Sequence, residues 1–329
     1  MPTFKQEVTS PMLNFLLSII YWRTRIKLKE NPLAILYFHH VFEHNNEYHP
    51  DDIIADEFDR KIKFLNKHFN ILTMSEAMEK LEAKQLPPKA LVITFDDGYQ
   101  DNFTIAAPIL KKHNCPSTFF ISTSGVDKGY LWNDEVEQLI SNTSVKKISA
   151  KIIGEQILIE NQDDKINAFQ QLLSKLKFLS HNERTIQIKR LKDELGDVEL
   201  QRTMMTHEQI KQLHQDGFTI GAHTHSHTIL TTETIDICRE ELLKNKSSLE
   251  ATINDSIKYI AFPNGLFERD YQQKHYGIAK EMNFQAGFST NDGGAISLTN
   301  TYTIPRFMPY RKQLSLFALS IAKIAGEHV

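Results

Sequence analysis

Ala90-Leu91-Val92-Ile93-Thr94-Phe95-Asp96-Asp97-Gly98-Tyr99 is an apolar run that ends in two carboxylates and a glycine. The run reads as a buried strand, and the glycine permits a tight turn just past it. In parallel α/β folds, ligands and catalysis sit at the C-terminal ends of strands. Two neighbouring acids there can divide roles, one binding a metal and the other taking a proton. The same residues also fit a plain acidic turn, so the surrounding pattern has to decide.

Outward from this stretch, similar short apolar runs recur at Leu33–Phe38, Thr118–Ile121, Phe218–Ala222, Ile257–Phe262, Phe284–Phe288 and Tyr302–Ile304. Amphipathic helical patterns separate most of them, at Glu57–Phe69, Asn102–His113, His207–Asp216, Thr234–Ile253 and Arg269–Met282. Strands alternating with helices argue for parallel βαβ units, and seven strands favour a barrel or a large wound sheet. One helix is well marked: Thr206 and Gln209 form a capping box, Met205 and Ile210 are placed as its hydrophobic staple, and Gly217 suits the C-terminal cap. The segment Asn133–Arg202 is polar and mostly helical in pattern, with a short strand-like piece at Lys151–Ile159. It reads as an insertion over one face of the barrel.

The whole chain has 329 residues, of which 41% are hydrophobic and 24% charged. That is the profile of a soluble globular protein with a sizeable core. A net charge of −3 argues against a nucleic-acid partner. Two cysteines, Cys115 and Cys238, are too few for a disulfide scaffold and fit a reducing compartment. Met12–Trp22 is an apolar stretch, too short for a membrane span and without the pattern of a signal peptide. Arg23, Arg25, Lys27 and Lys29 follow it. Residues 1–30 therefore read as an N-terminal helix with two uses. Through residues 12–29 it could lie in the membrane interface, or it could pack on the domain formed by residues 31–329. The expected location is cytoplasmic, free or peripheral on the inner membrane.

A second chemical motif, His223-Thr224-His225-Ser226-His227, directly follows a strand. Neutral imidazole is the commonest metal-binding side chain, and two of them four residues apart with a carboxylate make a three-ligand site open to water. Three smaller features fall at the same end of the strands: Phe38-His39-His40, Phe262-Pro263-Asn264-Gly265 and Pro305-Arg306. Each alone is weak. Together they bring Asp, His, Arg and a backbone turn to one mouth.

At these residues the chain resembles the polysaccharide deacetylases, the NodB-homology family also called carbohydrate esterase family four. Thr94–Tyr99 is similar to that family's first motif, His223–His227 to its second, and Phe262–Gly265 to a variant of its third. Phe38-His39-His40-Val41 and Leu131-Trp132-Asn133-Asp134 resemble a branch associated with cell-envelope polysaccharides. The resemblance implies a distorted (β/α)7 barrel, an N-acetylated saccharide or glycolipid as substrate, and a divalent metal, usually Zn2+. It implies that Asp97, His223 and His227 bind the metal and that Asp96 is the general base. Thr224 would brace the histidine loop, and the Asn264 N–H would help hold the oxyanion. The family's arginine upstream of the third motif is missing, which leaves Arg306 to hold Asp96. The family's C-terminal Leu-x-His is also missing, and the only histidine near that end is His328. That leaves His39, His225 or water as the acid, with His39 favoured. The missing acid keeps open a catalytically weakened carbohydrate-binding protein on the same fold. A hydrolase of another non-peptide amide, such as a formyl group or cyclic imide, also stays open.

Overall fold

The computed structural model describes residues 11–149, 154, 156–196, 198–308 and 311–327. Six parallel strands lie side by side in chain order: β1 (Leu33–Phe38), β2 (Ala90–Phe95), β3 (Thr118–Ile121), β4 (Thr219–Ala222), β5 (Tyr259–Ala261) and β6 (Ala286–Phe288). Asn70–Ile71 adds a short parallel strand beside the start of β2, before the point where β3 joins it at Thr94.

The expected seventh strand, Tyr302–Ile304, is reduced to single bridges. Ile304 pairs with Phe288 of β6 and Phe307 pairs with Leu36 of β1. Pro305 lies between them and has no N–H to give to a ladder, so a regular strand cannot run through it. Even so, this segment joins the last strand to the first. The Ser289 N–H donates to the Ile304 carbonyl at 2.8 Å, and the Phe307 N–H donates to the Ile35 carbonyl at 3.0 Å. The sheet is thereby curled into a distorted barrel with one irregular stave.

Strand residues alternate between two apolar clusters, as a pleated sheet requires. Leu33, Ile35, Val92, Phe120, Tyr259, Ala261 and Phe288 pack among the strands and against Met74, Ala77 and Leu81 of the helix Met74–Glu82. Leu36, Phe38, Ile93, Phe95, Phe119, Ile121 and Ile260 belong to the cluster that includes the surrounding helices. Gly221 of β4 gives Phe120 its room, since a Cβ there would lie 2.4 Å from the Phe120 ring.

The helices follow the sequence pattern with instructive departures. His207–Gln215 carries the expected capping box, and Met205 and Ile210 are both buried. Asn102–His113 is not one α-helix. It opens with a wide π-turn at Asn102–Ala106 and becomes α-helical only at Ala107–Lys112. Pro108 cannot donate the α-helical bond to Thr104. Arg269–Met282 starts late, at Gln273, because Asp270 turns back to accept from the Leu266 N–H. In the 133–202 segment, helices Trp132–Asn142, Gln162–Leu176 and His181–Leu195 share an apolar cluster of their own. Of the expected strand piece Lys151–Ile159, only Ile157–Leu158 is a strand, paired antiparallel with Lys147–Ile148; residues 151–153 and 155 lie outside the described residues.

The N-terminal helix α1 (Pro11–Leu28) packs against the C-terminal helix Leu314–Ala325. Leu13, Leu17, Tyr21 and Thr24 form its buried stripe. Phe15, Trp22 and Ile26 are about two-thirds exposed (65%, 62% and 60%). No helix among the described residues is long and apolar enough to cross a membrane.

This division of α1 makes a prediction. Leu17→Ala should lower the urea unfolding free energy by about 2–5 kcal/mol, the cost of emptying a core site. Trp22→Ala should change it by no more than about 0.5 kcal/mol. Equal effects from the two would show that α1 does not dock as described.

Candidate active site

The loops after β1, β2, β4 and β5 and the segment after Pro305 converge on one mouth. At the end of β2 the chain turns so that adjacent acids face different partners. Asp96 keeps to the strand direction and is buried against Arg306. The fork is bidentate, with Nη1 donating to Oδ1 at 2.7 Å and Nη2 to Oδ2 at 2.8 Å. Arg306 is itself fully buried. It also donates to Thr94 Oγ1 at 3.1 Å and to the Ser289 carbonyl at 3.2 Å, and lies over the rings of Tyr37 and Phe120. Burial alone would raise the Asp96 carboxyl, but the Arg306 guanidinium together with nearby His223 outweighs it and holds the group below the ordinary carboxylate range.

Asp97 takes a left-handed backbone conformation, φ +74°, which carries its side chain away from Asp96 toward the histidine loop. Its Oδ1 stands 3.2 Å from His223 Nε2 and 3.1 Å from His227 Nε2. It makes no hydrogen bond of good geometry, although it is buried. His223 Nδ1 donates to the Ala261 carbonyl at 2.7 Å. That bond leaves Nε2 as a lone pair aimed at another acceptor. Acceptors facing one another in a buried pocket are a poor arrangement without a cation between them, and a good one with it. The three donor atoms lie within 4.8 Å of one another, so the set fits a divalent ion.

The histidine loop is braced differently from the expectation. The Thr224 hydroxyl is buried without a partner, so it does not do the bracing. Asn245 does. Its Oδ1 accepts from the His223 N–H at 3.1 Å, and its Nδ2 donates to the carbonyls of Ile121 and Thr224 at 2.9 and 2.7 Å. One turn earlier on the same helix, Ile235–Ile253, Glu241 accepts from the Ser226 N–H and hydroxyl, both at 2.7 Å. Neither residue is visible in a motif search. The signal was a polar pair at i and i+4 on the face of a helix that also carries Cys238, Leu242 and Leu249 inward.

His39 stands half-buried at the mouth, edge-on to Tyr37, and feels the charges of both Asp96 and Asp97. Its neighbour His40 has turned away into a separate polar pocket. There its Nδ1 meets Asp101 at 2.6 Å and its ring stacks on Tyr99. His225 is also occupied, with Nδ1 2.9 Å from Thr123 Oγ1. Asn264, at φ +57°, passes its carbonyl to the Thr290 hydroxyl, while its N–H donates to no group among the described residues. His328 lies outside the described residues. Asp134, in the stretch singled out after Leu131, is structural. It accepts from Tyr99, the Leu131 N–H and Thr203, and burial pushes it up to about 6.

The polysaccharide deacetylase family model matches residues 83–287. The Bacillus subtilis (strain 168) protein YxkH, which carries a polysaccharide-deacetylase name, is 23% identical over 280 residues, covering 84% of this chain and 71% of that protein. The Staphylococcus aureus poly-β-1,6-N-acetyl-D-glucosamine N-deacetylase is 28% identical over 137 residues, covering 38% of this chain and 46% of its own length. Among solved structures, the Streptococcus pyogenes deacetylase PplD in complex with acetate superposes with a TM-score of 0.58 at 20% identity, covering 85% of this chain and 92% of that one. At that identity the likeness establishes the fold.

Removing Arg306 should leave a buried carboxylate with no counter-charge. Arg306→Ala is expected to cost about 3–5 kcal/mol in urea unfolding. Arg306→Lys should recover only part of it, because a lysine cannot reproduce the fork. A near-neutral alanine variant would mean that Asp96 is satisfied by other groups.

Proposed function

This chain belongs to the polysaccharide deacetylase family, and on that premise we propose that it hydrolyses the N-acetyl amide of an amino sugar in a polysaccharide or its lipid-linked precursor, using one divalent ion, zinc by choice of ligands. The observation that carries the reading is the convergence of His223 Nε2 and His227 Nε2 on the unbonded Asp97 Oδ1, beside an ionised Asp96. A bound ion would supply Lewis-acid polarisation of the acetyl carbonyl and a water acidic enough to attack near neutral pH.

The protein's own groups do the rest. Asp96, fixed by Arg306, accepts the proton of the attacking water. The Asn264 N–H, held at the turn by the bond from Thr290 to its carbonyl, donates to the oxygen on which negative charge develops. One such donor is typically worth about 2.7–4 kcal/mol in the transition state. Expulsion of the amine needs a proton. We assign that proton to His39, half-buried at the end of β1 and within electrostatic reach of both aspartates, because His225 is engaged by Thr123.

The face of α1 that carries Phe15, Trp22 and Ile26, with exposed Arg23, Arg25 and Lys27 beside it, supports a second contact, with an anionic membrane surface. On this reading the protein works peripherally at the cytoplasmic face of the membrane.

Two experiments test these readings. In the first, acetate release is followed on N-acetylglucosamine oligomers, with bound metal measured by elemental analysis. Asp96→Asn should abolish turnover and keep about one divalent ion per chain, whereas His223→Ala should lose both. His39→Ala should depress the rate at least about a hundredfold if His39 is the acid; a rate within a few-fold of the parent excludes it. Release of formate but not acetate from matched substrates would move the activity to another amide. In the second, cosedimentation with phosphatidylglycerol vesicles should weaken at least about tenfold in Trp22→Ser/Ile26→Ser, the loss of two apolar anchors. Unchanged binding, or none by the parent, removes the membrane contact.

A further inference from the structure

We propose that the cavity between the helix His181–Leu195 and the segment Ser124–Trp132 is a subsite for an anionic group, a carboxylate or a phosphate ester, carried on a saccharide; only the saccharide rests on the function proposed above. The cavity has a volume of about 400 Å3, inside the range of roughly 300–1,000 Å3 typical of small-molecule sites. Arg184 and Trp132 line it together, the guanidinium stacked 4.7 Å from the indole ring. Arg184 is only 2% exposed. Its Nη2 makes one long bond, 3.5 Å to the Ser226 carbonyl, and its Nη1 has no partner. The Trp132 Nε1 is likewise buried without an acceptor. Two buried donors left open beside one cavity call for an acceptor-rich occupant.

The charges around the cavity favour an anion over a neutral acceptor. Lys128, Lys189 and Lys192 also line it. Glu135 is the only acidic group lining it among the described residues, and Lys128 already neutralises it at 2.5 Å. The two other carboxylates that act on Arg184, Glu233 and Glu241, do not line the cavity and are held by donors of their own. Glu233 accepts from the His181 N–H and the Thr228 hydroxyl, and Glu241 accepts from the Ser226 N–H and hydroxyl. A guanidinium fork suits a planar carboxylate or a phosphate, and Tyr130 and Trp132 line the cavity with apolar surface suited to the sugar that carries it. Ser226 borders the cavity and adjoins His227 in sequence. The anion would therefore belong to a residue close to the acetylated one.

The test is a titration followed at the Trp132 indole 15N–1H resonance, in a Trp22→Phe background so that one indole is observed. The probes are D-glucuronate, inorganic phosphate and D-glucose. One or both anions should shift the resonance saturably while glucose does not. The double variant Lys189→Ala/Lys192→Ala, altered only at the rim, should weaken that binding at least about fivefold. A tighter fit for glucuronate assigns an acidic glycan, and a tighter fit for phosphate assigns a phosphorylated sugar. No shift, an equal shift with glucose, or a shift indifferent to the lysines would overturn the proposal and leave water as the occupant. The titration needs no turnover and can be repeated in His223→Ala, so a failed acetate assay and a failed subsite are told apart.

Discussion

The buried fork between Arg306 and Asp96 is the constraint on which the barrel and its mouth both depend. It spans the sheet from the end of β2 to the segment that joins β6 back to β1. That segment is tied by two backbone hydrogen bonds on each side, and to these Arg306 adds a side-chain clamp that also reaches Ser289 at the end of β6 and Thr94 within β2. A buried ion pair contributes little net stability over a well-packed apolar replacement, while breaking it is expensive. Its value here is positional. It keeps an ionised carboxylate at the mouth with one orientation, and it seals the barrel where Pro305 prevents a ladder.

The same mouth concentrates unusual backbone. Asp97, Thr224, His227 and Asn264 all have positive φ without being glycine, and Gly98 and Gly265 follow two of them. Such residues persist only where the surroundings over-determine them. The restraints are identifiable. Asn245 grips both sides of His223, Glu241 holds Ser226, and Thr290 holds the Asn264 carbonyl. Each restraint comes from a different element from the strained residue. The geometry at the mouth is therefore a product of the assembled fold, not of the local loops.

This explains what the sequence could and could not tell. The ends of β1, β2 and β4 and the helix at His207 were legible because apolar runs, a capping box and glycine punctuation are local signals. The grouping of Asp97 with His223 and His227 was legible through the family resemblance of the two motifs, and the register of β2, β3 and β4 brings both strand ends to one mouth. The reduced seventh stave was not, because Tyr302–Ile304 has strand-like residues and only Pro305, just beyond, argues against them. The resemblance implies Thr224 as the brace of the histidine loop, but its hydroxyl is buried without a partner. The residue that does the work is 21 positions away from it on a helix. The charged lining of the insertion cavity was likewise hidden, since Trp132 comes beside Arg184 and Lys192 only after two helices distant in sequence have packed.

The division of labour follows from how a barrel closes. The span matched by the family model, residues 83–287, holds Asp96, Asp97, His223, His227 and Asn264, but neither His39 nor Arg306. Those two come from β1 and from the closing segment, the parts of the chain that must meet for the sheet to curl. The candidate cation site draws its residues from the ends of β2 and β4, which flank β3, so it needs only the register of three inner strands. Arg306, the partner of Asp96, and His39, the acid proposed above, sit at the seam, where the two ends of the sheet meet. The seam therefore depends on the two ends of the chain meeting, while the insertion packs its own apolar cluster and carries the basic cavity.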